Sequence, residues 1–364
     1  MAASLMISQS MAQVVTQPRN PSPAAKVKQT VGLSTVTINY SRPNVILNET
    51  DRTGKIYGTG NPAHYGYNDP FPGFGSGNKW PWRAGANENT TISFSHDAKV
   101  EGKPISAGTY ALFMALKEDG GATVILSNNA GSWGSFFYDE KENALTADIQ
   151  SQEIPQTNRL TYNFIDIDNN SMVVALDWEK KRFPFKVEFD ATNIVLSSMR
   201  GELRSTGGFG WQGYNAAANY ALNNDGDLEE ALAWADKSIA GTSNFNNLNT
   251  KASILTKMEK ADEAKKTMDL AMEQGTVLQI HQYGRTLIGQ KKLNEALEIF
   301  KLNTEKYKDT WPVNYGMARG LSAKGDYKGA LKYLRKALEN APAQANKDRV
   351  QANIDKLEKG EDIN

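Results

Sequence analysis

The residues best suited to bind a ligand stand together in the stretch Trp82-Arg83-Ala84-Gly85-Ala86-Asn87-Glu88. Arginine presents a planar fork of donors that matches a carboxylate or a phosphate. The amide of Asn87 adds a donor and an acceptor, and Glu88 can act as an acceptor or a base. Because loops are where proteins usually present functional groups, this turn-rich stretch predicts a binding constellation more than a catalytic one.

Other parts of the chain could contribute to the same constellation. Arg42 adds a second cation, and Trp133 and Tyr138 come from one short turn and could form an aromatic wall. The predicted ligand site therefore consists of Arg42, Trp82, Arg83, Asn87, Glu88, Trp133 and Tyr138. The alternative is structural, because an ion pair between Arg83 and Glu88 would only brace the turn that they flank.

Catalytic signatures are few. The chain has three histidines, His64, His96 and His281. His64 and His96 could make a metal site with Asp69 or Asp97, but no HxH or HExxH spacing appears, and we expect each to be a solvated loop residue. The chain has no cysteine, which excludes disulfides, thiolate zinc sites and cysteine nucleophiles. It also lacks a G-x-S-x-G elbow, a phosphate loop and a dinucleotide fingerprint, so no cofactor is predicted. Whether the protein is an enzyme stays open.

Composition limits the classes of partner. The 364 residues include 41 basic and 41 acidic side chains, and this neutral balance argues against nucleic acid. No run of about 18 apolar residues is present, so no membrane span is predicted. An apolar fraction of 40% is enough to bury hydrophobic cores. The length favours two or three domains.

The N-terminus carries the pattern of an exported protein. Ser10-Met11-Ala12 fits the small-x-small site of a signal peptidase, so we expect residues 1–12 to be a signal-peptide remnant. A proline-rich linker is expected over residues 13–25. The predicted location is periplasmic or extracellular.

Residues 26–190 have the pattern of a sheet domain. Val36, Ile38 and Tyr40 alternate with polar neighbours, which is the period of a half-buried strand. Short strands, frequent turns and no helical period predict an antiparallel β-sandwich.

One connection within this domain is unusually long and aromatic. Between Ile56 and Trp82 the chain carries six aromatic rings interspersed with glycines, namely Tyr57, Tyr65, Tyr67, Phe71, Phe74 and Trp80. Such a loop is typically functional. It is either a lid that completes the core or a platform on which a sugar or peptide stacks.

The second half of the chain repeats. A connecting helix and a glycine-rich linker are expected over residues 191–213, with the domain boundary at 205–213. Ala231, Ala264, Ala296 and Ala330 then follow at intervals of 33, 32 and 34 residues. This period predicts stacked helix pairs, with a capping helix and tail over residues 344–364.

Residues 214–343 resemble the tetratricopeptide repeat. The small and leucine positions match well, whereas Asn219 and Asn303 depart from the usual small residues. The resemblance implies an α-helical array that holds a protein or peptide partner in its concave groove.

The first half resembles a family of exported bacterial proteins that is known only as a domain of unknown function. The resemblance rests on SPAA at 22–25, YSRP at 40–43, WRAGANE at 82–88, AGTY at 107–110, WG at 133–134 and YD at 138–139. It implies a β-rich domain over about residues 22–190 and no established activity. Family members have a shorter connection before the tryptophan–arginine pair, so any function of the aromatic loop belongs to this protein.

The sequence therefore predicts an exported two-domain protein, an antiparallel β-sandwich followed by a tetratricopeptide-like array. Its leading function is non-catalytic: the repeats bind a protein partner, and the sandwich binds a glycan or a small ligand. The alternative is a hydrolase that acts on a glycan or peptide through Arg83, Glu88 and the aromatic loop.

Overall fold

The computed structural model describes residues 22–47, 49–308 and 310–364. The predicted signal-peptide remnant and most of the predicted linker lie outside these residues. Residue contacts divide the chain into two units, Met1–Val195 and Leu196–Asn364. The division therefore falls within the expected connecting helix, before the glycine-rich stretch.

The described part of the first unit is built from antiparallel strands, two of which, of 14 and 19 residues, are long. In chain order they are β1 (Ala24–Val31), β2 (Ser34–Ser41), β3 (Ile46–Leu47), β4 (Thr50–Asp51), β5 (Thr91–Phe94), β6 (Ala98–Val100), β7 (Lys103–Ile105), β8 (Gly108–Leu116), β9 (Gly121–Ser127), β10 (Asn143–Gln150), β11 (Gln152–Ile165) and β12 (Ser171–Phe189). Six of them form one sheet in the order β1-β2-β5-β8-β9-β10. Four form a second sheet in the order β11-β12-β6-β7, and β3 pairs with β4.

The two sheets enclose one hydrophobic core. Val36 and Ile38 of β2 point inward as the alternation predicted, and both are fully buried. They pack with side chains of the second sheet such as Leu176 and Trp178 of β12. The antiparallel β-sandwich is therefore confirmed.

The second unit is an array of antiparallel helices. In chain order they are α1 (Ala191–Glu202), α2 (Trp211–Asn223), α3 (Leu228–Gly241), α4 (Phe245–Lys257), α5 (Ala261–Gln274), α6 (Val277–Gly289), α7 (Leu293–Lys306), α8 (Trp311–Ala323), α9 (Tyr327–Asn340) and α10 (Gln344–Glu358). In the described ranges no helix is long and apolar enough to span a membrane.

The four repeats are the pairs α2–α3, α4–α5, α6–α7 and α8–α9. Ala231, Ala296 and Ala330 are fully buried and Ala264 is 7% exposed, which confirms the register of the small positions. Asn303, the departure in the third repeat, is also buried, and its amide Nδ2 donates to the Val277 carbonyl at 3.0 Å. A buried hydrogen bond replaces the methyl contact there.

The glycine-rich stretch is ordered and tightly packed. A 3-10 turn spans Thr206–Gly208, and α2 begins at Trp211. A Cβ on Gly208 would lie 2.1 Å from the Leu203 carbonyl oxygen, and one on Gly213 would lie 1.9 Å from that of Gly207. These glycines permit a close turn between α1 and α2, so they do not form a loose linker.

Candidate functional site

The WRAGANE stretch folds as a tight turn that is fixed by its backbone. Ala84 and Asn87 have positive φ angles of 47° and 61°. A Cβ on Gly85 would lie 2.4 Å from Oγ1 of Thr90, so only glycine fits there. The Ala84 carbonyl accepts hydrogen bonds from Thr90 Oγ1 at 3.2 Å and from the Tyr162 hydroxyl at 3.0 Å. Much of this motif therefore maintains the turn.

Trp82 lies in the core and does not face a ligand. Its side chain is 2% exposed and stacks on Trp178 with ring centroids 6.1 Å apart. Its backbone pairs with Met114 of β8, since Trp82 N donates to the Met114 carbonyl at 3.0 Å. Trp82 therefore does not line the predicted ligand site, because the bridge to β8 turns its indole into the core.

Arg83 is half-buried beneath two aromatic rings. Its Nη1 donates to the Asn87 carbonyl at 2.6 Å, and its guanidinium carbon lies 4.6 Å from the Phe136 ring centroid and 5.4 Å from that of Trp133. Burial lowers the pKa of Arg83. The structure thus brings Arg83, Asn87 and Trp133 together and adds Phe136, which the sequence analysis did not select.

The other polar residues of the predicted site lie apart from this cluster. Glu88 is exposed and lines a cavity of 360 Å³ whose lining does not include Arg83. Arg42 donates through Nε to the Leu160 carbonyl at 3.0 Å and through Nη2 to Thr161 Oγ1 at 2.6 Å. Arg42 therefore ties β11 to the end of β2 and does not join Arg83.

The aromatic segment 57–82 covers the outer face of the larger sheet. Gly66 N donates to the Leu116 carbonyl at 2.7 Å, which holds the segment against β8. Beneath it, Trp80 packs on a second small core that contains Phe113, Ile125 and Tyr138. The segment is a lid in this respect, yet several of its rings stay exposed on the other side.

Tyr138 lies in the small core beneath the lid and also borders a cavity. Its ring packs edge-on against Phe113 at 5.7 Å, and its hydroxyl accepts a hydrogen bond from Asn143 Nδ2 at 2.8 Å. Burial, as the largest cause, raises the pKa of Tyr138 to about 12, so the phenol stays neutral at physiological pH. A cavity of 570 Å³ lies beside it, and Tyr67, whose ring centroid is 6.1 Å from that of Tyr138, also lines this cavity.

His64 is buried and His281 is half-buried, contrary to the expectation of solvated loop residues. His64 is 2% exposed beside Trp80, with the Tyr65 backbone near its ring but outside good hydrogen-bonding geometry. His281 stacks on Tyr315 at 6.1 Å, and its Nδ1 lies 3.1 Å from the Pro312 carbonyl. In the described chain no three acidic, histidine or cysteine residues are grouped to hold a metal ion.

A second candidate site lies in the helical array. A cavity of 630 Å³ runs along α4 and α6, the first helices of two successive repeats. Its lining is rich in side-chain amides, which are Asn223, Asn246, Asn249, Gln279, Gln282 and Gln290. Primary amides carry both donors and acceptors, so this surface matches the alternating groups of a peptide backbone.

The amide surface continues onto the first repeat. A neighbouring cavity of 530 Å³ along α2 is lined by Asn215, Asn219 and Asn223, the last of which borders both cavities. The Oδ1 atoms of Asn215 and Asn249 are buried and have no hydrogen-bond partner. Most buried acceptors in proteins have a hydrogen-bond partner, so a donor from a bound molecule would complete these two. This row was not predicted from the sequence, although amides recur on successive first helices.

The fold and these two surfaces define a two-domain protein, a β-sandwich followed by a tetratricopeptide-like helical array. Residues 22–187 match the family model described as "Protein of unknown function (DUF2911)". The chain thus carries a DUF2911 domain followed by tetratricopeptide-like helices, as the resemblance implied. Residues 189–354 match the model of the coatomer epsilon subunit. No curated protein matches the chain.

Several solved structures are similar to part of the chain. One is YrrB, titled "a TPR protein with an unusual peptide-binding site", with 21% identity and a TM-score of 0.28, covering 44% of this chain and 84% of that one. Another is pilF of Pseudomonas aeruginosa, with 18% identity and a TM-score of 0.29, covering 46% and 78%. A tetratricopeptide repeat protein from Parabacteroides merdae has 14% identity and a TM-score of 0.29, covering 47% and 74%.

Proposed function

We propose that the helical array binds an extended segment of a partner protein along the row of amides on α2, α4 and α6. The observation that carries the proposal is the buried, unpartnered Oδ1 of Asn249 within a 630 Å³ groove. A backbone N–H of a bound peptide would satisfy this acceptor. A buried acceptor without a hydrogen bond costs about 1–3 kcal/mol of free energy, so a ligand that supplies the donor gains affinity.

The other groups in the groove favour the same class of ligand. Gln279 Nε2 donates to Asn246 Oδ1 at 3.2 Å, which links the amides of α4 and α6 across the groove. Tyr283 and Phe245 add apolar surface, and the lining also includes Lys292 and Lys257, the latter paired with Asp225 at 3.0 Å. A mainly neutral amide surface with two aromatic rings suits a peptide backbone and an apolar side chain.

Selection of peptides from a displayed random library on the whole chain tests the proposal. The affinity of a selected peptide is then measured by calorimetry for the wild type and for Asn249→Ala. We expect the substitution to weaken binding about tenfold, because it removes one well-placed hydrogen bond.

Gln351→Ala is the matched control, since Gln351 is an exposed amide on α10 outside the groove. It should leave the affinity unchanged. Equal binding by the wild type and Asn249→Ala, with both folded, would remove the groove as the peptide site.

The hydrolase alternative needed Arg83 and Glu88 in one cleft. Arg83 instead contacts the Asn87 carbonyl, Phe136 and Trp133, and Glu88 lines a cavity that does not include it. This geometry gives a reaction at the pair no support, and the binding function is the better proposal.

Export is a further part of the proposal. It is supported by the pattern Ser10-Met11-Ala12, which lies outside the described residues. N-terminal sequencing of the protein purified from its native cells tests it. A mature chain that starts at or near Gln13 is expected, and an intact N-terminus on an intracellular protein would contradict it.

A further inference from the structure

An exposed cluster of aromatic rings lies on the outer surface of the lid. Five of its rings are between 38% and 53% exposed, namely Tyr67, Phe71, Phe74, Trp133 and Phe137. An exposed apolar surface of this kind on a soluble domain usually marks an interaction site. We call these five residues the aromatic platform.

The half-buried ring of Phe136 joins most of the platform into one surface. Its centroid lies 5.6 Å from that of Phe71, 5.4 Å from that of Phe74 and 5.9 Å from that of Trp133. Phe74 also contacts Phe137 at 5.6 Å. These contacts connect rings from the 57–82 segment with rings from the turn that contains Trp133.

Hydrogen bonds hold the platform in a fixed arrangement. Ser76 Oγ and Asn78 Nδ2 both donate to the Tyr138 carbonyl, at 2.8 and 3.2 Å. Ser76 N donates to the Phe136 carbonyl at 3.0 Å. Arg83, which belongs to the WRAGANE turn, lies against the ring of Phe136. Because the rings are positioned before a ligand arrives, binding loses little conformational entropy.

Polar groups surround the cavity next to the platform. Tyr67 is shared by both, and the rest of the 570 Å³ cavity is lined by Asn78, Lys79, Tyr138, Asp139, Glu140 and Lys141. The lining carries two lysines and two carboxylates, and Lys79 also pairs with Asp69 at 2.9 Å. Charges of both signs are therefore mixed around the cavity, which favours a ligand without net charge. Carboxylate, amide and ammonium groups together supply both the acceptors and the donors that hydroxyl groups require.

We propose that the aromatic platform and the adjoining cavity bind a neutral oligosaccharide. Sugar rings have apolar C–H faces, which stack on exposed aromatic rings, and their hydroxyl groups reach the polar groups of the cavity. Phe71 and Phe74 carry the stacking, and Asn78 and Glu140 receive the hydroxyls. This site is independent of the peptide groove.

Binding to a panel of neutral hexasaccharides tests the proposal. The probes are cellohexaose, laminarihexaose, maltohexaose, xylohexaose and chitohexaose, each titrated into the full chain by calorimetry. We expect at least one to bind, and Phe71→Ala and Phe74→Ala each to weaken that binding about tenfold. Phe71→Leu should weaken it similarly, because leucine keeps the apolar surface but lacks a flat ring.

Phe209→Ala is the matched control, since Phe209 is an 87% exposed phenylalanine of the second unit. It should bind the hexasaccharide like the wild type, as should Asn249→Ala, which separates this site from the groove. Thermal melting of each variant checks that it is folded. The proposal is overturned if no probe binds at millimolar concentration, or if Phe71→Leu or Phe74→Ala, while folded, binds as tightly as the wild type.

Discussion

At the scale of single residues, Arg83 has two roles: it holds a turn together and it positions aromatic rings. Its guanidinium closes the turn through the Asn87 carbonyl and supports the rings of Phe136 and Trp133. A lysine could not supply the same planar contact. The forked cation that suggested an anion site therefore has aromatic faces and a carbonyl as its partners, and it positions part of the aromatic platform.

His281 shows how burial changes the properties of a side chain. Burial lowers its pKa from 6.5 to about 4, and the nearby Arg319 adds repulsion. The folded state therefore keeps the ring neutral where the unfolded chain would take up a proton. The contribution of neutral His281 to the free energy of unfolding is fully present above about pH 6.5 and is lost as the pH drops toward 4.

We expect the titration of His281 alone to lower the free energy of unfolding by about 1–2 kcal/mol when the pH falls from about 7.5 to about 5. His281→Gln removes the titration and keeps a donor for the Pro312 carbonyl. Urea unfolding of the array at several pH values compares the variant with the wild type. Parallel curves of free energy against pH for the two proteins would contradict the buried neutral histidine.

At the scale of elements, small residues set the spacing of the helices. An added Cβ on Gly284, Gly316 or Gly320 would lie 2.6, 2.6 or 2.9 Å from the ring of Phe300. Phe300 is fully buried, so these three glycines make room for it between α6, α7 and α8. The repeat therefore uses small residues on first helices to accept a large one from a second helix.

Ala296 occupies a corresponding close contact on α7 and is fully buried. We predict that Ala296→Leu destabilises the array by about 1–3 kcal/mol, because overpacking forces neighbouring side chains apart. Equilibrium urea unfolding measures the loss. Ala261→Leu, at the exposed start of α5, is the control and should change stability by less than about 0.5 kcal/mol. Equal stabilities for both variants would refute the assigned contact.

The lid is the element whose tertiary position is least evident from its sequence. Its glycines and rings read as one irregular loop, but its edges pair with β8 and its inner rings complete a core. The same segment leaves Phe71 and Phe74 on the outside. One connection is thus a structural cover on one side and a candidate binding surface on the other.

At the scale of the whole molecule, α1 is part of the second unit's core. Leu196 is 1% exposed and packs with Ala217, Ala218 and Trp234 of the first repeat. Met199 and Leu203 extend this contact. The helix that joins the two units by sequence therefore stabilises the array.

We predict that a fragment of residues 191–364 is more stable than one of residues 211–364 by at least about 3 kcal/mol, because the shorter one loses the apolar side chains of α1. Urea unfolding of both fragments measures the difference. A fragment of residues 1–190, which keeps β12 intact, is unfolded in the same way to measure the stability of the first unit. If the two array fragments unfold at the same urea concentration, α1 is only a connector.

The sequence by itself determined the periodic features of this protein. Alternation at Val36 and Ile38 specified which face of a strand is buried, and the spacing of Ala231, Ala264 and Ala296 specified the helix pairs. These predictions succeeded because burial repeats with the local geometry of a strand or a helix, so neighbouring residues carry the information.

The tertiary structure alone decided which candidate side chains face solvent and which meet. Trp82 and Trp133 are both tryptophans beside turns, yet one is 2% and the other 47% exposed. Likewise, the amides of α4 and α6 share a groove only because successive repeats stack. Such contacts join residues far apart in the chain, and their energies depend on packing that no local pattern encodes.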